Sequence, residues 1–118
     1  MKTLFLYGLL FVIVAAPGFS SCGKNGNSGI ITDPCNGVSK QFGADVNPII
    51  QTFCNKSGCH GPGSINGPGP LTSYNEIFSA RDRIRIQVSA GLMPQDATLT
   101  TAQRNAIICW IDNGAPDN

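Results

Sequence analysis

Cys54-Asn55-Lys56-Ser57-Gly58-Cys59-His60 places two thiols near one another and sets the only histidine of the 118-residue chain directly after the second. In the C-x-x-C-H pattern of covalent haem attachment, the thiols add across the two porphyrin vinyl groups and the histidine becomes an axial ligand of iron. The spacer here has four residues where that pattern has two. Four still permit attachment, because the thiols need only reach two vinyl groups on one edge of the ring. Gly58 lets the backbone loop out, and the longer loop adds little closure entropy. A small Cys54–Cys59 disulfide with an exposed His60 is the other reading of the same residues. Zinc fits less well, since adjacent Cys59 and His60 suit one tetrahedral ion badly.

Upstream, Asp45 to Cys54 reads as a short helix, with Asn47 as N-cap and Pro48 at the first helical position, where its missing N–H costs nothing. Val46, Ile49, Ile50 and Phe53 then share a face, and the helix delivers Cys54 at its C-terminal end. Downstream, Gly58, Gly61, Gly63, Gly67 and Gly69 alternate with Pro62, Pro68 and Pro70. That density forbids a regular element and predicts a long loop able to wrap around a ligand.

Ser73 opens a second helical pattern with Ile77, Ala80 or Arg81, Ile84 and Val88 at helical spacing, ended by Gly91. The alternation Arg83-Ile84-Arg85-Ile86-Gln87-Val88 would also suit a strand, but no second strand is available to pair with it. Leu92-Met93-Pro94-Gln95 is an apolar turn. A last helix starts near Thr100, where Gln103 completes a capping box. Ala106, Ile107, Trp110 and Ile111 form its stripe, and Gly114 and Pro116 end it. The expected architecture is all-α: three to four short helices and long Gly/Pro-rich loops around a covalently bound haem.

The N-terminus reads as a removable signal. Lys2 precedes an apolar run from Leu4 to Ala16, too short to span a bilayer comfortably but suited to an export signal. Cys22 follows small residues, as at the cleavage site of bacterial lipoproteins, where the cysteine is acylated; ordinary cleavage near Ser21 is the alternative. Residues 1–21 are thus expected to be a lipoprotein-type signal peptide, 22–40 a flexible Gly/Asn/Ser tether, and 41–118 the folded domain. Such a chain would sit in the periplasm or cell envelope, held to a membrane by the lipid at Cys22.

Without residues 1–21 the chain keeps seven basic and seven acidic residues. Arg81, Arg83 and Arg85 alternate with other residues instead of forming a block, so nothing points to a nucleic-acid partner. The five cysteines need individual explanations in an oxidising compartment. Lipidation uses Cys22 and haem uses Cys54 and Cys59, which leaves Cys35 and Cys109 as a disulfide pair. Iron that only shuttles electrons needs two axial ligands, and His60 and Met93 are the only His and Met of the mature chain.

From Phe42 onward the chain resembles a family of small exported c-type cytochrome domains found in bacterial lipoproteins and as parts of larger proteins. The matching pieces are Asp45-Val46-Asn47-Pro48-Ile49-Ile50, Gly58-Cys59-His60-Gly61, Leu71-Thr72-Ser73-Tyr74, Gly91-Leu92-Met93-Pro94 and Trp110-Ile111-Asp112-Asn113-Gly114-Ala115-Pro116. The resemblance implies a cytochrome c-like fold, thioether bonds at Cys54 and Cys59, His60 as proximal ligand and Met93 as distal ligand. Where many members have a second proline after Met-Pro, this chain has Gln95. Phe53, Tyr74 and Trp110 are the large groups expected to line the haem, to fill the core, or both.

The expected function is that of a one-electron carrier between exported redox proteins, with haem c as cofactor and no catalytic residue. A saturated His/Met iron has no open coordination site. A catalytic or sensing haem would require Met93 not to bind iron. The rival class is a haem-free, disulfide-stapled lipoprotein acting as a binding module through its glycine-rich loop.

Overall fold

The computed structural model describes residues 33–118. The stretch expected to be a signal peptide, Cys22 and the first part of the expected tether lie outside the described residues.

The chain enters its first helical segment earlier than the sequence predicts. A wide π-type turn, Phe42–Val46, runs directly into α1, Asn47–Phe53. Asn47 therefore sits inside the helical path and not at the N-cap, which is Val46; its side chain accepts from Gln51 Nε2 at 3.0 Å. The orphan N–H groups of the opening turn find partners far along the chain. Phe42 N–H donates to Asn118 Oδ1 at 2.8 Å and Gly43 N–H to the Asn118 carbonyl at 2.8 Å. Asp45 folds back to accept from Gln41 N–H at 2.9 Å.

The second helix, α2, spans Tyr74–Ser89 and begins with a full capping box between Ser73 and Glu76. Its buried residues are Ile77, Ala80, Ile84 and Val88, the predicted helical stripe, while Ile86 is 60% exposed. A strand would have put Ile84, Ile86 and Val88 on one face. Gly91 ends the helix at a φ of 70°: its N–H bonds Val88 O and the next N–H, of Leu92, bonds Gln87 O, the paired closure of a Schellman motif.

The third helix, α3, spans Thr101–Asp112, capped by Thr100 and Gln103. It closes in the same way at Gly114, with Gly114 N–H on Ile111 O and Ala115 N–H on Trp110 O. Among the described residues there are three α-helices and no strand, so the fold is all-α.

The core forms where α2 packs on α3 and the π-type turn packs on α1 and α3. Val46, Ile50, Ile77, Ile107 and Trp110 are fully buried there. Phe42 meets Tyr74 edge-on at 5.0 Å between ring centroids and Trp110 at 5.4 Å. The polar tips of this cluster are satisfied by the C-terminal turn, Trp110 Nε1 donating to Pro116 O at 2.8 Å and Tyr74 OH to Ala115 O at 2.9 Å.

Cys35 is bonded to Cys109 of α3, across a sequence separation of 74. Val38 O also accepts from Asn113 Nδ2 at 3.3 Å. The described part of the stretch expected as a tether is thus fastened to α3. Its composition is loop-like, but the disulfide and this hydrogen bond hold it.

Candidate functional site

The cysteine-histidine stretch begins where α1 ends. Cys54 is the C-cap residue of α1, its N–H on Ile50 O at 2.9 Å. The chain then doubles back: His60 N–H donates to Cys54 O at 3.1 Å, so the spacer is closed into a loop by the residues that flank it. Inside it, Cys59 N–H and Gly61 N–H both donate to Lys56 O at 3.0 Å. Gly58 turns the loop at a φ of 82°, a left-handed conformation that suits glycine. Asn66 fastens the outside of the loop, its amide donating to Gly58 O at 2.9 Å and Cys59 O at 3.0 Å.

His60 is the one buried polar side chain among the described residues, at 8% exposure. Its Nδ1 lies 3.0 Å from Gly69 O. A carbonyl can only accept, so Nδ1 carries a proton, and in the neutral ring the lone pair belongs to Nε2. The glycine-proline loop, after leaving His60, returns to supply that carbonyl. Leu71 N–H closes the same loop on His60 O at 2.8 Å. A ring held by its Nδ1–H on a backbone carbonyl, with Nε2 free to coordinate, is the arrangement of metal-ligating histidines.

His60 faces a cavity of about 600 Å³, within the range of small-molecule and cofactor sites. Phe53, Cys54, Cys59 and His60 form one part of its wall. Ile84, Gln87 and Val88 of α2 form another, and Met93 to Asp96 a third. The sequence reading of the two thiols, the histidine and the methionine named residues that the fold brings to one cavity. Tyr74 and Trp110 are not on its wall; they lie in the aromatic cluster of the core, and of the three large groups only Phe53 faces the cavity.

Cys54 and Cys59 are free thiols, each half-buried. Burial pushes the Cys54 thiol up to about 11, against the opposing pull of the Lys56 charge. Lys56 Nζ pairs with Asp96 Oδ2 at 2.9 Å, and that hydrogen bond holds the Asp96 carboxyl below its ordinary value. Among the described residues no three His, Cys, Asp or Glu side chains gather around one point. A bare ion would need such a set, whereas iron in a porphyrin takes only two ligands from the protein.

Sequence reasoning missed two contributors. The Gly69 carbonyl carries no side-chain signal at all. Arg83, on the cavity wall, is separated in role from its neighbours: Arg81 stacks 4.1 Å over the Phe78 ring, and Arg85 Nη2 binds Asp112 Oδ2 at 2.9 Å. The three-arginine alternation gave no hint of this division. No protein-family model matches the chain, and no curated protein or solved structure matches it significantly.

Proposed function

We propose that this chain is a monohaem c-type cytochrome with a cytochrome c-like fold, an electron carrier. The observation that supports this best is the buried His60 ring, with Nδ1 held by Gly69 O and Nε2 available, on the wall of a cavity shared with Cys54, Cys59 and Met93. These residues fit the group. Cys54 and Cys59 would hold it through thioethers, and His60 and Met93 would supply a nitrogen and a sulfur ligand to its iron. When bound, haem contributes a one-electron iron couple.

The chain's own residues do the rest. The Gly69 carbonyl holds the His60 ring through Nδ1 and so would orient Nε2 as a ligand. Leu71, Ile84 and Val88, buried in the core cluster and present on the cavity wall, keep water from that side. As a ligand, the neutral thioether of Met93 would favour the lower charge state and raise the potential over a bis-histidine pair. Free thiols at Cys54 and Cys59 favour this reading over the disulfide-stapled binding module. Export, a lipid at Cys22 and exported redox proteins as donor and acceptor complete the proposal.

The test is an absorption spectrum of the full chain produced in a host competent for covalent haem attachment. The expected result is a haem band that stays with the polypeptide after denaturation and organic extraction, reduced in Cys59→Ser and lost in Cys54→Ser with Cys59→Ser. A chain that retains no haem under these conditions refutes the proposal. Met93→Ala is expected to abolish the sulfur-to-iron band. If that band and the reduction potential survive the change, Met93 is not the ligand and a sensing or catalytic haem becomes the better reading.

A further inference from the structure

The four residues between the thiols are the feature that departs from C-x-x-C-H, and they are not slack. Lys56 is engaged on both sides of its backbone. Its N–H donates to Cys54 O at 2.9 Å, and its carbonyl accepts from Cys59 and Gly61, each at 3.0 Å. Gly61 is fitted to this arrangement, since a Cβ there would stand 2.9 Å from the Lys56 oxygen. The backbone of Lys56 is therefore held firmly, and its side chain leaves the loop in a defined direction.

That side chain reaches Asp96, Nζ to Oδ2 at 2.9 Å, across 40 residues of sequence. Asp96 shares the cavity wall with Met93. On its α2 side the methionine segment is tied by Leu92 and Met93 N–H groups to Gln87 O, at 2.9 and 3.4 Å. On its far side, between Pro94 and Leu99, the Lys56–Asp96 pair is the sole hydrogen bond to another part of the described chain.

We propose that the long spacer works as a strap: Lys56 is a positioning residue that holds the 93–96 segment, and with it the Met93 sulfur, against the site. This rests on the haem reading above. Lys56 acts through Met93 and supplies no ligand itself. A segment released at Asp96 keeps its tie at Gln87, so the sulfur stays near but is displaced more easily by a competing ligand.

The experiment titrates the oxidised, haem-loaded full chain with imidazole and follows loss of the sulfur-to-iron band. Lys56→Ala and Asp96→Asn are each expected to bind imidazole about two- to fivefold more tightly than the parent at low salt, the scale of an exposed ion pair. The double variant is expected to bind no more tightly than either single one, because both changes remove the same contact. Lys56→Asp combined with Asp96→Lys restores the parent affinity. In about 1 M salt, where the Debye length is about 3 Å, the parent moves toward the variants. Single variants with unchanged affinity, or effects that add in the double variant, overturn the strap while leaving the haem reading intact. A chain without covalent haem shows no sulfur band to titrate, which overturns the haem reading and the strap with it.

Discussion

Alanine at position 61 isolates one steric contact at the heart of the site. A Cβ on Gly61 would lie 2.9 Å from Lys56 O, 3.1 Å from its carbonyl carbon and 3.4 Å from Ser57 N, all backbone atoms that cannot rotate away. The φ of Gly61 is not in the left-handed region, so alanine is not strained by conformation. In open space such a change would stabilise by about 0.4–1 kcal/mol through the unfolded state. Here the Lys56 carbonyl has to move, and it accepts two N–H bonds, each contributing about 1 kcal/mol. Gly61→Ala is therefore expected to destabilise by about 2–3 kcal/mol, within the range of overpacking. Gly67→Ala is the control, since its Cβ would meet nothing within 4 Å and its φ is also not left-handed. Urea unfolding followed by the fluorescence of the single tryptophan, Trp110, reads both as shifts in midpoint at constant slope. Equal midpoints for the two variants would refute the steric reasoning.

Four further outcomes follow from contacts already described. Cys35→Ser opens a covalent loop with a sequence separation of 74, and the chain-entropy model puts the loss at about 4 kcal/mol in the same assay; a loss below about 1 kcal/mol would contradict it. Thr100→Ala removes the acceptor for Gln103 N–H at the start of α3 and is expected to cost about 1 kcal/mol, whereas Thr100→Ser should cost little. In the haem-free chain at pH 8, Cys54 with a value of about 11 is thiolate in on the order of one molecule in a thousand, so mass spectrometry should show slow alkylation that quickens up to pH 11; rapid reaction at pH 8 would argue against its burial. The Arg85 hydrogen bond holds the Asp112 carboxyl below its ordinary 3.8, so that stabilisation is complete above pH 3.8 and lost as pH falls below it. Asp112→Asn should flatten the acid limb of the stability profile, and an unchanged limb would rule the pair out as its source.

Local signals made two of the helices legible. Ser73 as the opening of the second pattern and Thr100 with Gln103 as a capping box are local features, and both helices start where those residues stand; the structure adds a Ser73–Glu76 box. The stripes Ile77-Ala80-Ile84-Val88 and Ala106-Ile107-Trp110-Ile111 needed only a period of 3.6. The opening turn was not legible, because the groups that satisfy Phe42 and Gly43 belong to Asn118, which no local rule connects to them. Nor could aromatic content divide Phe53 from Tyr74 and Trp110, since all three are large apolar groups on helical segments. What separates them is the C-terminal turn, which offers carbonyls to the Tyr74 hydroxyl and the Trp110 indole and draws both into the core. At the site, residue types pointed to Cys54, Cys59, His60 and Met93. The Gly69 carbonyl that holds His60 and the ion pair that spans 40 residues beside the same cavity leave no pattern in sequence.

The Cys35–Cys109 bond also decides how the domain would bear a pull. Every residue on the cavity wall, from Phe53 to Asp96, lies inside the covalent ring that this bond closes. The covalent path of tension applied between residue 33 and residue 118 runs through residues 33–35, across the sulfurs and along residues 109–118, and bypasses residues 36–108. The load falls first on the bonds of Asn118 to Phe42 and Gly43, then on the Tyr74–Ala115 and Trp110–Pro116 contacts and the last turn of α3. In single-molecule stretching the intact chain should lengthen only by its C-terminal segment. After reduction the same force would enter at Phe42 and draw the thiols, the histidine and the methionine apart in turn.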